Sequence, residues 1–283
     1  MNIKKIENQL RSLIPPVMYD SLMETVIKIR FQLSSYKSVL THNKNIKNYK
    51  TGKRAFILAT GPSVKNQDIK LLSGEDCFSI SNFFLHEDLE KINPKLHFFA
   101  PFHPPLILEN YIEWLKASDQ KLPKETDIVL GYKERELVKK HNLFPTRKVY
   151  YLYLDRVKPY FPLNLEKIIP TPKTGPQMIL PVLIEMGYEE IYLIGCDHTV
   201  LRDFGKTITN FYAANKDMRK NATSNEAWSN ILAQLEANKQ VFQLYYNYAD
   251  ILDKNYSSTK VINLSDDSWL DCFEKREYMS ILR

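Results

Sequence analysis

"RAFILATGPSVKN", residues 54–66, opens with an apolar run and ends in a polar turn. Such a run before Gly and Pro is typical of a buried strand that stops abruptly. The sequence therefore predicts a strand over residues 55–59 and a turn at Thr60-Gly61-Pro62-Ser63. Backbone N–H groups in such a turn can bind an anion, although a plain strand-to-helix turn explains the pattern equally well. The turn matches neither the P-loop pattern nor GxGxxG.

Strand-like and helix-like segments alternate from this point to the end of the chain. This alternation predicts an α/β fold with a mostly parallel, doubly wound sheet. The expected strands are residues 55–59, 77–81, 96–99, 127–130, 149–152, 191–194 and 261–264. The expected helices are residues 106–118, 133–141, 177–186 and 225–252.

The composition of the 283 residues is that of a globular protein, with 44% hydrophobic and 25% charged residues. The three cysteines, Cys77, Cys196 and Cys272, form no CxxC pair, which favours a reducing compartment over a disulfide framework. No secretory signal and no apolar run long enough for a membrane helix is visible, so we expect a cytoplasmic protein.

The positive charge of the chain is concentrated at its N-terminal end. Residues 1–54 carry eleven Lys and Arg against three Asp and Glu, while the whole chain has a net charge of +6. Residues 1–53 are expected to form a basic helical arm and a polar linker (residues 41–53), with the catalytic domain in residues 54–283. A first short helix would place Ile6, Leu10 and Leu13 on one face. A second would carry an apolar stripe of Leu22, Val26, Ile29 and Leu33, which fits either an anionic membrane surface or packing on the domain or another subunit.

Polar residues follow two further apolar segments, and a third polar segment precedes a helix. Asn82 ends the strand at 77–81, and "IYLIGCDHT" runs from a strand into Gly195 and the neighbouring Asp197 and His198. Successive side chains on an extended chain point in opposite directions, so Asp197 and His198 would have separate roles. A His at the carboxyl end of a buried strand can act as a general base near neutral pH. Residues 171–176, "TPKTGP", predict a helix start with Thr174 as N-cap, next to Lys173, where an anion can bind.

Several catalytic patterns are absent from the sequence. It contains no DxD, no HExxH, no Cys/His cluster and no GxSxG. Metal-assisted pyrophosphate chemistry is therefore disfavoured. A donor with a single phosphate needs no metal if Lys, Arg or Tyr side chains stabilise the leaving group.

Four segments in this order, "FILATGPSVKN", "SISNFF", "PKTGPQMILPVLIEMGYEEIYLIGCDH" and "VINLSDDSWLDCF", resemble the bacterial lipooligosaccharide sialyltransferase family and the MptE-like (6-hydroxymethylpterin diphosphokinase-like) proteins. The likeness covers about residues 54–275. It implies a Rossmann-like domain with a flexible lid, here about residues 200–225. It also implies a CMP-sialic acid donor, inversion at the anomeric carbon and no bound metal. The positions that it assigns to donor binding are Thr60, Gly61, Pro62, Ser63, Asn82, Thr174 and Gly175, with Gly195 and Asp197 at a strand end.

The sequence departs from the sialyltransferase pattern in three places. Thr60 stands where that family has Asn, and Gln240 aligns with its general-base His. The lid tyrosines that hold the leaving phosphate have no clear equivalents. The Asp197-His198 pair is typical of the MptE-like relatives, so the base role is expected to move to His198. Lys173, Arg202, Lys206 and Tyr212 are then expected to hold the donor phosphate.

Together these features predict a metal-independent glycosyltransferase of surface polysaccharide, lipopolysaccharide or capsule assembly. The favoured donor is a CMP-activated acidic sugar of the sialic acid or Kdo type, and the acceptor a glycan or glycolipid. Residues 1–50 would hold the enzyme on an anionic membrane at its inner face, and a homo-oligomer is a further expectation. The alternatives are a UDP- or GDP-sugar transferase, a pterin diphosphokinase using ATP and Mg²⁺, and a non-catalytic protein of the same fold. Nucleic-acid binding is disfavoured because the basic residues cluster on the arm.

Overall fold

The structure is a computed structural model that describes residues 14–104, 106–204, 210–219 and 230–282. The expected first helix with Ile6, Leu10 and Leu13 lies outside these ranges, as do Lys206 and parts of the expected lid. Within the described ranges, no helix is long and apolar enough to cross a membrane.

In the part of the chain that the structure describes, a parallel sheet of nine strands lies at the centre, in the order β6-β5-β4-β3-β2-β1-β7-β8-β9. This confirms the α/β, doubly wound prediction. All seven expected strands are present, while β6 and β9 were missed because they are only three and two residues long. The strands are β1 Arg54–Leu58, β2 Asp76–Ile80, β3 Leu96–Phe98, β4 Asp127–Gly131, β5 Val149–Asp155, β6 Ile168–Pro170, β7 Glu190–Ile194, β8 Lys260–Asn263 and β9 Glu274–Lys275.

Helices cover both faces of the sheet, and each face has its own hydrophobic core. One core includes Met178 and Tyr245, and the other includes Trp114 and Val138. Burial on both faces explains why the strands read as apolar runs rather than as alternating patterns. The helices are α1 Pro16–Gln32, α2 Lys37–Leu40, α3 Leu89–Ile92, α4 Leu108–Lys121, α5 Arg135–Lys140, α6 Pro176–Met186 and α7 Ile231–Asn255.

The order in which successive strands of the chain join the sheet changes direction at β1. On one side β1 pairs with β2, and on the other with β7, where Leu58 lies opposite Ile194. Connections leave the two sides of β1 toward opposite faces, so a crevice opens at the carboxyl ends of β1 and β7. Ligands of open α/β sheets bind at such a reversal point.

Residues 41–49, expected to be a polar linker, instead form 3-10 turns packed against the domain. The side chain of Ile46 is fully buried in the core that also contains α6. Asn43 Nδ2 donates hydrogen bonds to the carbonyl oxygens of Tyr151 and Leu165, at 2.8 and 2.7 Å. Asn43 therefore joins this segment to the domain through carbonyl oxygens of β5 and of the loop before β6, which hydrophobic periodicity does not predict.

Helix α1 packs on the domain through a different face from the expected stripe. Ile27 and Phe31 are buried against Tyr153 and Ile168 at the β5–β6 edge of the sheet. The predicted stripe of Leu22, Val26, Ile29 and Leu33 is exposed. The prediction that this helix packs on the domain is therefore confirmed, but the contact is made by Ile27 and Phe31 and not by the stripe.

Candidate functional site at the reversal of the sheet

The turn after β1 lies directly against the segment after β7. The backbone N–H of Gly61 donates to the carbonyl oxygen of Gly195 at 3.0 Å. Gly61 has an ordinary φ of −62°, so the reason for a glycine here is space rather than conformation. A Cβ at this position would lie 1.8 Å from Asp197 Oδ2 and 2.5 Å from the Gly195 oxygen. Gly195 itself has a φ of +69°, where side chains are strained.

The Asp197 side chain contacts the turn after β1. Its side chain is buried, and Oδ2 accepts a hydrogen bond from the backbone N–H of Ser63 at 3.3 Å. Burial raises the pKa of Asp197, while hydrogen bonds from Ser63 act in the opposite direction. The carboxylate thus holds the turn at Thr60-Gly61-Pro62-Ser63 in position beside the crevice.

The loop after β8 holds the same segment in place. Ser265 Oγ accepts from the backbone N–H of Cys196 at 2.9 Å, and Ser268 Oγ donates to its carbonyl oxygen at 2.7 Å. The backbone N–H of Trp269 donates to the Asp197 carbonyl oxygen at 2.9 Å. Buried backbone groups are almost always paired in this way, and here the pairing fixes the direction in which His198 leaves the strand.

At His198 the backbone is left-handed, with a φ of +53°, and not extended as predicted. The Nε2 of His198 lies 3.1 Å from the hydroxyl of Tyr245 in α7, and its ring packs edge-on against Tyr245 and Phe242. Burial lowers the pKa of His198 to about 4. The imidazole is therefore neutral at physiological pH, and at this pKa it is a weaker base than an unperturbed imidazole.

Tyr245 joins His198 to the loop before α6. Its hydroxyl lies 3.3 Å from Thr174 Oγ1. Thr174 is not the N-cap that the sequence predicted, because Gly175 precedes the helix and no side chain caps it. Instead Gln177 Oε1 accepts from the backbone N–H groups of Lys173 and Thr174, at 2.9 and 3.3 Å. Two of the donors expected to bind an anion are thus already occupied.

Asn82 and Tyr212 lie together at the end of β2. Asn82 is fully buried, accepts from the indole N–H of Trp114, and donates to the Tyr212 hydroxyl at 2.9 Å. Arg219 donates from Nη1 to Ser81 Oγ at 2.9 Å, and its guanidinium lies 4.8 Å from the centre of the Trp114 ring. Residues 210–219 therefore bring a hydroxyl and a cation to the strand end that the sequence predicted for donor binding.

The charge of Arg219 is balanced by Asp217. Its Nη2 lies 2.8 Å from Asp217 Oδ2, and this ion pair is only about a quarter exposed. Burial lowers the pKa of Arg219, but the hydrogen bonds and charge of Asp217 outweigh it and the pKa is raised. The guanidinium therefore stays charged beside Asn82.

The other predicted cations differ in position. Arg202 is at the surface and pairs with Asp203 and with Asp267. Lys206 lies outside the described residues, so its role stays a prediction. Lys173 borders the crevice, and desolvation, with the neighbouring Arg156 charge, lowers its pKa.

Next to Lys173 lies a cavity of about 330 Å³ between α1 and α7. Cations and carboxylates from both helices and from the loop after β6 line it. The charged residues around it are Asp20, Glu24, Arg156, Lys158, Lys173, Glu236 and Lys239.

Gly175 packs against Ile80 of β2, since an added Cβ would lie 3.0 Å from Ile80 Cδ1. The predicted site residues other than Arg202 and Lys206 therefore border one edge of the sheet, at β1, β2 and β7. Tyr245 and Arg219 were missed because each reaches the site from a distant part of the chain and belongs to no motif. The role of Gln177 was missed although it lies in the quoted segment after Lys173, because its side chain binds backbone amides that precede the helix. In the part of the chain that the structure describes, no three His, Cys, Asp or Glu side chains converge as a metal site would require.

Comparison with known proteins gives structural neighbours only. No family model matches the chain, and no curated protein is significantly similar to it. The sialyltransferase CstII from Campylobacter jejuni, solved with cytidine-5'-monophosphate, is 20% identical with a TM-score of 0.42, over 80% of this chain and 85% of that one. A point variant of alpha-2,3/8-sialyltransferase CstII is 21% identical with a TM-score of 0.40, over 79% and 86%. Prephenate dehydrogenase from A. aeolicus is 12% identical with a TM-score of 0.23, over 74% and 91%. At these identities and TM-scores the neighbours carry no functional argument.

Proposed function

We propose that the protein is a glycosyltransferase that uses a sugar nucleotide, with His198 as the general base. The observation that carries the proposal is the convergence of the Gly61 turn, Asp197-His198 and the Thr174 loop on the crevice where the sheet reverses. Three segments far apart in sequence thus frame one site of the kind in which α/β enzymes bind nucleotides.

The base role follows from the hydrogen bonding of His198. If Nε2 carries the proton, it donates to the Tyr245 hydroxyl, which in turn donates to Thr174 Oγ1. Nδ1 then keeps its lone pair for the acceptor hydroxyl. In the reaction, the acceptor O–H proton passes to Nδ1 as the acceptor oxygen bonds to the anomeric carbon. The bond from that carbon to the phosphate oxygen breaks, and its electron pair leaves with the nucleotide.

Stabilisation of the leaving phosphate is assigned to Tyr212 and Arg219. Both lie at the end of β2 beside Asn82, and Arg219 carries a permanent charge in a partly desolvated setting. Hydrogen-bond donors placed where negative charge develops are worth several kcal/mol, about 3 per donor. This assignment takes the place of Arg202, because Arg202 lies at the surface and pairs with Asp203 and Asp267, whereas Arg219 lies part-buried at the end of β2, where it pairs with Asp217.

The favoured donor remains a CMP-activated acidic sugar. A single phosphate matches a site supplied with a cation and a hydroxyl rather than with convergent carboxylates for Mg²⁺. The cavity beside Lys173 is the proposed acceptor site, because its mixed charges can hydrogen-bond the hydroxyl and carboxylate groups of a glycan. A surface-glycan acceptor is carried over from the sequence resemblance.

The test has two stages and uses the full chain. Thermal shifts are measured with CMP, CDP, UDP, GDP and ATP, each with and without Mg²⁺, since a ligand of the folded state raises Tm. CMP release from CMP-sialic acid and CMP-Kdo is then followed with candidate glycan acceptors. We expect a metal-independent shift with CMP and acceptor-dependent CMP release.

His198→Gln should lower turnover by about 10²- to 10⁴-fold with CMP affinity unchanged, as for loss of a general base. His42→Gln, at an exposed position of residues 41–49, is the matched control and should leave both unchanged. A thermal shift with UDP or GDP alone would be consistent with a glycosyltransferase but would exclude the CMP-activated donor. A shift with ATP and Mg²⁺ alone would instead support a diphosphokinase, and full turnover in His198→Gln would remove the base assignment.

A further inference from the structure

Helix α1 has two apolar faces, and the domain covers only one of them. The inner face is anchored through Tyr19, Ile27 and Phe31, each less than 7% exposed. The outer face carries Met18, Leu22, Val26, Ile29 and Leu33, which are 47–83% exposed. A surface helix normally presents polar side chains to water.

These five side chains form one continuous stripe. Their spacings of three and four residues place them on the same side of the helix. At 1.5 Å per residue the stripe is about 22 Å long. A stripe of this length and exposure exceeds the scattered apolar residues found on ordinary surfaces.

The charge of the surrounding segment indicates which kind of partner binds the outer face of α1. Residues 14–53 contain seven Lys and Arg but only two Asp and Glu. Both acidic residues, Asp20 and Glu24, line the cavity on the inner side of α1. Lys28 pairs with Glu24 at 2.7 Å and Arg30 pairs with Asp155, and the two basic side chains remain 62% and 61% exposed. The carboxylates thus lie on the inner side of the helix, while the segment as a whole is strongly basic.

We propose that the outer face of α1, defined by Met18, Leu22, Val26, Ile29 and Leu33, docks the protein on an anionic lipid surface. The aliphatic side chains enter the boundary between headgroups and acyl chains, and the basic segment binds the anionic headgroups. A second copy of the chain would bring two basic segments together, which is unfavourable without intervening acidic groups. The same helix lines the cavity beside Lys173, so docking would hold that cavity near the membrane.

The experiment is sedimentation of the full chain with vesicles of phosphatidylcholine alone or mixed with phosphatidylglycerol. Leu22→Gln/Ile29→Gln removes two aliphatic side chains from the stripe. Leu71→Gln/Met279→Gln is the matched control, since both positions are exposed but lie elsewhere. Circular dichroism and Tm establish that both variants fold.

We expect binding to the phosphatidylglycerol vesicles that is much weaker with phosphatidylcholine alone. The Leu22/Ile29 variant should bind roughly ten- to a hundred-fold more weakly. The reason is that transfer of each aliphatic side chain from water to lipid strengthens binding by up to about tenfold. The control variant should bind like the wild type.

Equal binding by both variants, or no binding of the wild type to anionic vesicles, would overturn the proposal. Size-exclusion chromatography with light scattering tests whether a second copy of the chain binds this face instead. If the wild type is a dimer and the Leu22/Ile29 variant a monomer, the face is an interface between copies and the lipid assignment is wrong.

Discussion

Substituting Gly61 with Ala tests whether the turn after β1 depends on close contact with Asp197. The added Cβ would lie 1.8 Å from Asp197 Oδ2, and ordinary contact begins at 3.4 Å. One of the two groups must therefore move by about 1.6 Å. The other near neighbour, the Gly195 carbonyl oxygen at 2.5 Å, belongs to the backbone and cannot rotate away.

The expected cost has two parts. Overpacking of this kind costs about 1–3 kcal/mol. Displacing the Asp197 carboxylate also removes the hydrogen bond from the Ser63 N–H, which leaves buried polar groups unpaired at about 1–3 kcal/mol. A total of about 2–6 kcal/mol corresponds to a decrease in Tm of about 4–20 °C for a chain of this size.

The measurement is urea and thermal unfolding of Gly61→Ala, together with nucleotide binding by thermal shift. Gly52→Ala is the matched control, because its Cβ would have no neighbour closer than 3.9 Å. We expect the control to unfold like the wild type, and Gly61→Ala to lose stability and nucleotide binding. A Gly61→Ala protein with wild-type Tm and nucleotide affinity would refute the close contact.

Two further predictions concern buried histidines and a helix end. Burial lowers the pKa of His198 to about 4 and that of His97 to about 3, from 6.5. As pH falls below about 6.5 the unfolded chain takes up protons first. Stability should therefore decline until the folded pKa values are reached, by about 3 kcal/mol for His198 alone. His198→Gln should flatten the dependence on pH measured in urea between pH 7 and 4.5, and an unchanged slope would contradict the assigned burial. Arg147 donates to four backbone carbonyl oxygens at and just beyond the end of α4 and to Asp119. Arg147→Met should cost about 3–5 kcal/mol in urea unfolding by leaving them unpaired, whereas a loss under 1 kcal/mol would contradict that role.

The order of apolar runs and turns was sufficient to predict the parallel sheet. Runs such as residues 55–59 and 191–194 are buried on both faces, so their composition alone marks them as strands. The carboxyl ends of parallel strands lie at one edge, so Gly61, Asn82 and Asp197 could be grouped before any coordinates were known. Strands β6 and β9 were not predicted, because segments of two or three residues show no hydrophobic periodicity.

The sequence by itself determined the sheet and the polar residues at its strand ends, since both depend on local periodicity and turn chemistry. Only the tertiary structure decided which partners these residues meet. Tyr245 reaches His198 from α7, and Arg219 reaches Ser81 across 138 positions. The same holds for α1, where two apolar faces compete and the shape of the β5–β6 edge selects Ile27 and Phe31. Contacts between distant residues depend on how the elements pack in three dimensions, and neither periodicity nor a short motif contains that information.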